Sequence, residues 1–198
     1  MNDEILTNLL NSINSFVSLF REDLYGYLLE SDVQSALFAK LRKDIDLYID
    51  VEGIRDKKIY KLNLIYSEYL QWFDICCLNI EEIEVIKDSP IYALHKGHDD
   101  FIYQLPVLLA IELKFIKGNR PGNLQKFIQD EEKIMNSEYR DRIKNYLSIC
   151  FIQNQKIAEF HIDNKPSEYK IDEVDKIEQL DISYVISPEK TYALTRIQ

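Results

Sequence analysis

The feature that most limits how this chain can fold is the run PVLLAIELKF, residues 106–115. It is nearly continuous in apolar residues, yet far shorter than the roughly 20 residues needed to cross a bilayer. A run of this kind suits a central strand covered on both faces. Side chains alternate along a strand, so Leu108, Ala110, Glu112 and Lys114 share one face. Val107, Leu109, Ile111, Leu113 and Phe115 share the other. The first face turns from apolar to charged as the strand ends. Charged side chains are seldom fully buried without a partner, so Glu112 and Lys114 mark a place with a chemical requirement.

Around this strand the hydrophobic period predicts the remaining elements. Residues 6, 9, 10, 13, 16, 17 and 20 are apolar at the spacing of one helical face, which predicts an N-terminal helix within residues 1–20. A second helix is expected over Leu24–Lys43, with Leu28, Val33, Leu37 and Leu41 inward and two basic residues at its end. After Gly53 the period changes: Lys58–Leu70 reads as one strand, and Trp72–Leu78 (WFDICCL) as a short apolar strand interrupted by Asp74. Pro121 opens a helix reaching about Ile143, and Tyr146–Ile152, Ile182–Ile186 and Tyr192–Ile197 read as further strands. The order is helix, helix, three strands, helix, strand and then mixed structure. It predicts an α/β fold with a mixed central sheet flanked by helices.

A chain of 198 residues, 46% hydrophobic and 29% charged, is expected to form one domain over 1–198. The start MNDEILTNLL carries acids where a secretory signal carries bases, so a cytoplasmic location is expected and no membrane association. Cys76, Cys77 and Cys150 are an odd number in apolar settings, which predicts buried, reduced thiols. No four-ligand zinc spacing is present. The net charge of −10 disfavours tight unaided nucleic-acid binding, although Lys114, Lys117 and Arg120 form a small basic patch.

Asp74 and Glu112 both sit in apolar strands. If the strands are neighbours, two carboxylates about 4 Å apart repel by roughly 4 kcal/mol at a near-surface dielectric. A shared proton or a cation must offset this. Lys114 supplies one positive charge, and a hard divalent ion supplies more, since Mg²⁺ binds through one or two carboxylates plus water and phosphate oxygens. Those are the parts of metal-assisted phosphodiester hydrolysis. The plainer alternative is a Glu112–Lys114 ion pair at a strand end, with Asp74 capped by backbone amides.

Asp74 in WFDICCL, with Glu112 and Lys114 in AIELKF, resembles the PD-(D/E)XK nuclease superfamily, the restriction endonuclease-like proteins. LESDVQSAL near the start of the second helix and NLQKFIQDEEKI after AIELKF add to the match, which covers about residues 24–140. The resemblance implies that Asp74, Glu112 and the backbone carbonyl of Leu113 hold Mg²⁺ or Mn²⁺, and that Lys114 orients the attacking water. It assigns Glu30 a second ion or the water shell, Gln125 a place facing the site, and Glu68 an auxiliary part. The proline of the family's name is absent, with Phe73 before Asp74. The stretch Asn79–Gln104 is an insertion between core strands, long for a plain loop.

Other chemistries find less support. His95 and His98, beside Asp99 and Asp100, lack the spacing of a helical zinc motif and read as an exposed loop. There is no G-x-S-x-G elbow and no G-x-x-x-x-G-K phosphate loop. The 13 Tyr and 9 Phe suit strands and core, and do not choose between DNA and RNA. The expected function is a Mg²⁺-dependent nuclease acting on DNA rather than RNA, in defence or DNA processing. Recognition would come from a homodimer, a partner subunit or DNA structure. The competing function is an inactive scaffold or interaction subunit on the same fold.

Overall fold

The computed structural model describes residues 1–52, 59–69, 73–86, 105–120, 122–135 and 140–197. Helix α1 spans Asn2–Glu22, with Asp3 and Glu4 in its first turn and Arg21 in its last, all favourably placed for the helix dipole. It buries Ile5, Leu9, Ile13, Phe16, Val17 and Phe20, close to the face expected. Helix α2 spans Glu30–Asp44 and starts later than its apolar spacing suggested. The reason is a cap: the Asp32 carboxylate accepts the backbone N–H groups of Leu28 and Leu29, both at 2.8 Å. The preceding residues form a turn, pinned by the Gln153 side-chain amide, which donates to the Leu24 and Tyr27 carbonyls.

The strand expected over Lys58–Leu70 is two. Strands β1 (Tyr48–Glu52) and β2 (Ile59–Asn63) form a separate antiparallel hairpin, and β3 (Ile65–Tyr69) joins the main sheet. At the break the Asn63 side chain accepts the Ile65 N–H at 2.7 Å, a local bond that competes with the ladder. Leu64 bridges the two sheets, donating to the Leu47 carbonyl and accepting from the Leu78 N–H.

Strand β4 (Phe73–Leu78) is followed by helix α3 (Ile80–Ile86), strand β5 (Val107–Ile116) and helix α4 (Asn123–Met135). The insertion 79–104 begins as helix, and at its start the Asn79 N–H donates to the carbonyl of Pro106, just before β5, at 2.8 Å. Residues 87–104, with His95, His98, Asp99 and Asp100, lie outside the described residues, as do Trp72 and Pro121. Strand β6 (Ile143–Ile152) starts at a 3-10 turn, Arg140–Arg142, so the helix expected to run to Ile143 ends earlier.

Helix α5 (Gln155–Asp163) and strand β7 (Tyr169–Val174) were not legible in advance. Asn154 caps α5 by accepting from Lys156 and Ile157. Strands β8 (Ile182–Ile186) and β9 (Thr191–Arg196) complete the chain. The seven-stranded sheet has the order β3-β4-β5-β6-β8-β9-β7. The β5–β6 and β6–β8 pairs are parallel and the rest antiparallel. The fold is therefore α/β, a mixed sheet flanked by helices.

The alternation of β5 and β6 decides which helix covers which face. Phe115 and Phe151 meet Phe20 of α1 edge-on, with ring centroids 6.4 and 4.9 Å apart. Ile116, Cys150 and Ile152 point the other way, packing with Leu124, Phe127 and Ile128 of α4 and Ala158 of α5. Glu112 and Lys114 share this second face with Ile116. All three cysteines are free and buried, and burial pushes the Cys77 thiol up to about 12. Among the described residues no helix is long and apolar enough to cross a membrane.

Candidate active site

Strands β4 and β5 are antiparallel neighbours, with Ile75 opposite Ile111. One residue further along this register, Asp74 stands opposite Glu112. On the other side of β4, the pairs Ser67–Ile75 and Tyr69–Phe73 bracket Glu68, placing it opposite Asp74. The register thus aligns Glu68, Asp74 and Glu112 across three strands. Glu68 has φ of 52°, in the left-handed region that a side chain of its kind rarely adopts.

Strand β5 runs past the start of β4, and two of its N–H groups there are taken by carboxylates. The Leu113 N–H donates to Asp74 Oδ2 at 2.7 Å, and the Phe115 N–H donates to Glu30 Oε2 at 2.9 Å. Glu30 reaches this edge because it is the first residue of α2, while Asp32 does the capping. One turn along α2, Gln34 Nε2 donates to Glu68 Oε1 at 2.6 Å and to the Asp74 carbonyl at 3.2 Å. Lys114 Nζ lies 3.6 Å from Glu30 Oε1 and 3.7 Å from Asp130 Oδ2 of α4. Its ion-pair partners are therefore on helices, and a Glu112–Lys114 pair is not formed. Among the described residues no hydrogen bond or ion pair holds the Glu112 carboxylate.

The electrostatics follow from this crowding. Burial, then Asp74 and Asp130, push the Glu112 carboxyl up to about 8, against a smaller opposing effect of Lys114. Burial pushes Asp74 up to about 6, with Glu30 and Glu68 adding to it and the Leu113 amide opposing. Burial alone would lower the Lys114 ammonium, but Glu30, Asp130 and Glu112 together hold it above its ordinary value. Both carboxyls are thus held above their ordinary range, Glu112 further than Asp74.

Among the described residues no three His, Cys, Asp or Glu side chains converge closely enough to form an all-protein metal cage. The donor set fits an ion that needs only one or two carboxylates and otherwise binds water and phosphate, as Mg²⁺ does. Glu112, held by no other group, is a suitable ligand on that ground. Asp74 has one oxygen committed to Leu113 and the other available. A strand residue sends its N–H and C=O to the same edge, so the Leu113 carbonyl leaves β5 on the Asp74 side.

The structure thus brings together Asp74, Glu112, Leu113, Lys114, Glu30 and Glu68. It places Gln125 elsewhere, lining a crevice of about 270 Å³ with Gly122, Phe160, His161 and Asn164. The α4 side chain that reaches Lys114 is Asp130. Sequence reasoning missed Gln34 and Asp130. Gln34 was accessible from its spacing, four residues after Glu30 on one helical face, whereas nothing in QDEEK distinguishes Asp130 from its neighbours. In comparisons with known proteins the chain matches no family model, no curated protein and no solved structure.

Proposed function

We propose that this chain is a divalent-ion-dependent nuclease with a restriction endonuclease-like fold, hydrolysing phosphodiester bonds in DNA rather than RNA. The observation that carries the reading is the apposition of Asp74 and Glu112 on neighbouring strands, with Lys114 on the Glu112 face two residues on. Two neighbouring carboxyls that burial and repulsion push toward their protonated forms are a place where a cation can replace a proton. The order of Glu30 on α2, Asp74 on β4, Glu112 and Lys114 on β5, and α4 after them, supports the fold assignment.

In this reading Asp74, Glu112 and the Leu113 carbonyl hold Mg²⁺ or Mn²⁺. When bound, such an ion polarises a phosphate and acidifies a water. Lys114, oriented between Glu30 and Asp130, donates to the attacking water and stabilises the negative charge that develops. Glu30 offers Oε1 to the water shell, since Oε2 is taken by Phe115. Glu68 adds negative charge from the next strand and is steadied by Gln34. Gln125 is given no part, because it lines a different crevice. The net charge of −10 leaves DNA recognition to the Lys114–Arg120 patch and a partner subunit or second copy. A cytoplasmic setting and a role in defence or DNA processing go with this reading.

A second reading, an inactive scaffold, is favoured by one observation: Asp74 and Glu30 already serve as backbone acceptors holding β5. The deciding experiment is incubation of supercoiled plasmid with Mn²⁺, alongside EDTA and Lys114→Ala. Nicking is expected with Mn²⁺, none with EDTA, and a loss of about 10²–10³ in rate for Lys114→Ala. Cleavage surviving both controls places the chemistry at another site, and an inert wild type favours the scaffold.

A further inference from the structure

Ser148 of β6 pairs with Glu112 of β5 in the parallel register, so the two side chains leave the sheet side by side on one face. Ser148 is fully buried, and its Oγ has no hydrogen-bond partner among the described residues. Other buried hydroxyls are satisfied: Ser12 donates to Asp44, and Ser187 to the Lys190 carbonyl. A buried polar atom without a partner is costly, and alanine at this position would carry no such cost. Next to it stands Glu112, whose carboxyl no hydrogen bond or ion pair holds among the described residues. A hydroxyl and a carboxyl that each lack a partner among the described residues thus occupy adjacent strands, whose separation of about 4.8 Å both side chains can bridge.

We propose that Ser148 is a positioning residue whose hydroxyl donates to the Glu112 carboxylate and fixes its orientation when that carboxylate ligates a divalent cation. The inference rests on the reading of Asp74 and Glu112 as the ion-holding pair. Groups that orient metal ligands from behind typically change affinity by about 10–100-fold when removed. Ser148 accordingly extends the row that begins at Glu68 onto a fourth strand, with a neutral group at its buried end.

The test compares wild type, Ser148→Ala, Ser148→Cys and Glu112→Gln, using Mn²⁺ as the probe. Melting is followed in EDTA and in Mn²⁺, and the dissociation constant is measured by calorimetry. In EDTA, Ser148→Ala is expected to melt at or above the wild-type temperature, because it removes an unsatisfied hydroxyl. In Mn²⁺ its affinity is expected to fall about tenfold or more, with Ser148→Cys weakened as well because a thiol is a poor donor. Opposite effects in the two conditions cannot come from a purely structural role. Equal Mn²⁺ affinity in wild type and Ser148→Ala overturns the inference, and so does a lower melting temperature of Ser148→Ala in EDTA. A wild type that binds no Mn²⁺, melting alike with and without it, removes the ion-holding reading itself and this inference with it.

Discussion

The Asp74 carboxylate accepts the Leu113 backbone N–H at 2.7 Å, so a side chain of β4 holds β5 where the β4–β5 ladder has run out. A single residue thereby serves both the sheet and the candidate site. The two duties are separable by substitution. Asp74→Asn keeps an acceptor for Leu113 and is expected to fold at pH 8 as stably as wild type or more so, because it removes a half-buried charge. Asp74→Ala leaves a partly buried N–H without a partner and is expected to lose about 1–3 kcal/mol. Urea unfolding of both variants distinguishes them, and equal losses would mean that the hydrogen bond contributes little.

The raised carboxyls make stability depend on pH in a definite direction. Glu112 rises from 4.5 to about 8 on folding and Asp74 from 3.8 to about 6. Between those limits the folded chain holds protons that the unfolded chain has released, so stability falls as pH rises. Each proton contributes a slope of at most about 1.4 kcal/mol per pH unit. In EDTA the melting temperature is expected to drop from about pH 6 to about pH 8, and Glu112→Gln should flatten that segment. A melting temperature that climbs over the same interval would contradict the burial of Glu112 described above.

Glu68 sits at φ of 52°, where a β-carbon is strained and glycine is not. Glu68→Gly is expected to raise stability by about 1 kcal/mol despite the loss of the Gln34 hydrogen bond, because that bond is solvent-exposed. Guanidinium denaturation measures the gain. A destabilised variant would show instead that Gln34 and Glu68 hold α2 against β3.

Much of the core was legible in the sequence, because periodicity reports burial directly. PVLLAIELKF gave a central strand, and ISYVI gave β8 residue for residue. Asp74, Glu112 and Lys114 stood out because a charge in an apolar run needs a reason. What escaped depends on contacts distant in sequence or on local side-chain bonds. The Asn63 bond that splits β2 from β3 and the Asp32 cap that shortens α2 leave no trace in hydrophobic spacing. Strand β7 (YKIDEV) lies at the sheet edge and mixes exposed charges with half-buried residues, so its alternation is weak. Asp130 and Gln125 look equivalent in sequence, and only the orientation of α4 separates them.

The Gln153 clamp on the turn before α2 has a consequence for when the site comes into being. Its bond to the Tyr27 carbonyl joins residues 126 positions apart, at 2.6 Å, and such distant closures form late, after the intervening loop entropy has been overcome. Glu30 begins only three residues beyond that turn. The start of α2, and with it Glu30, is thus tied to a residue that takes no part in the charged cluster, which couples the placing of that acid to completion of β6.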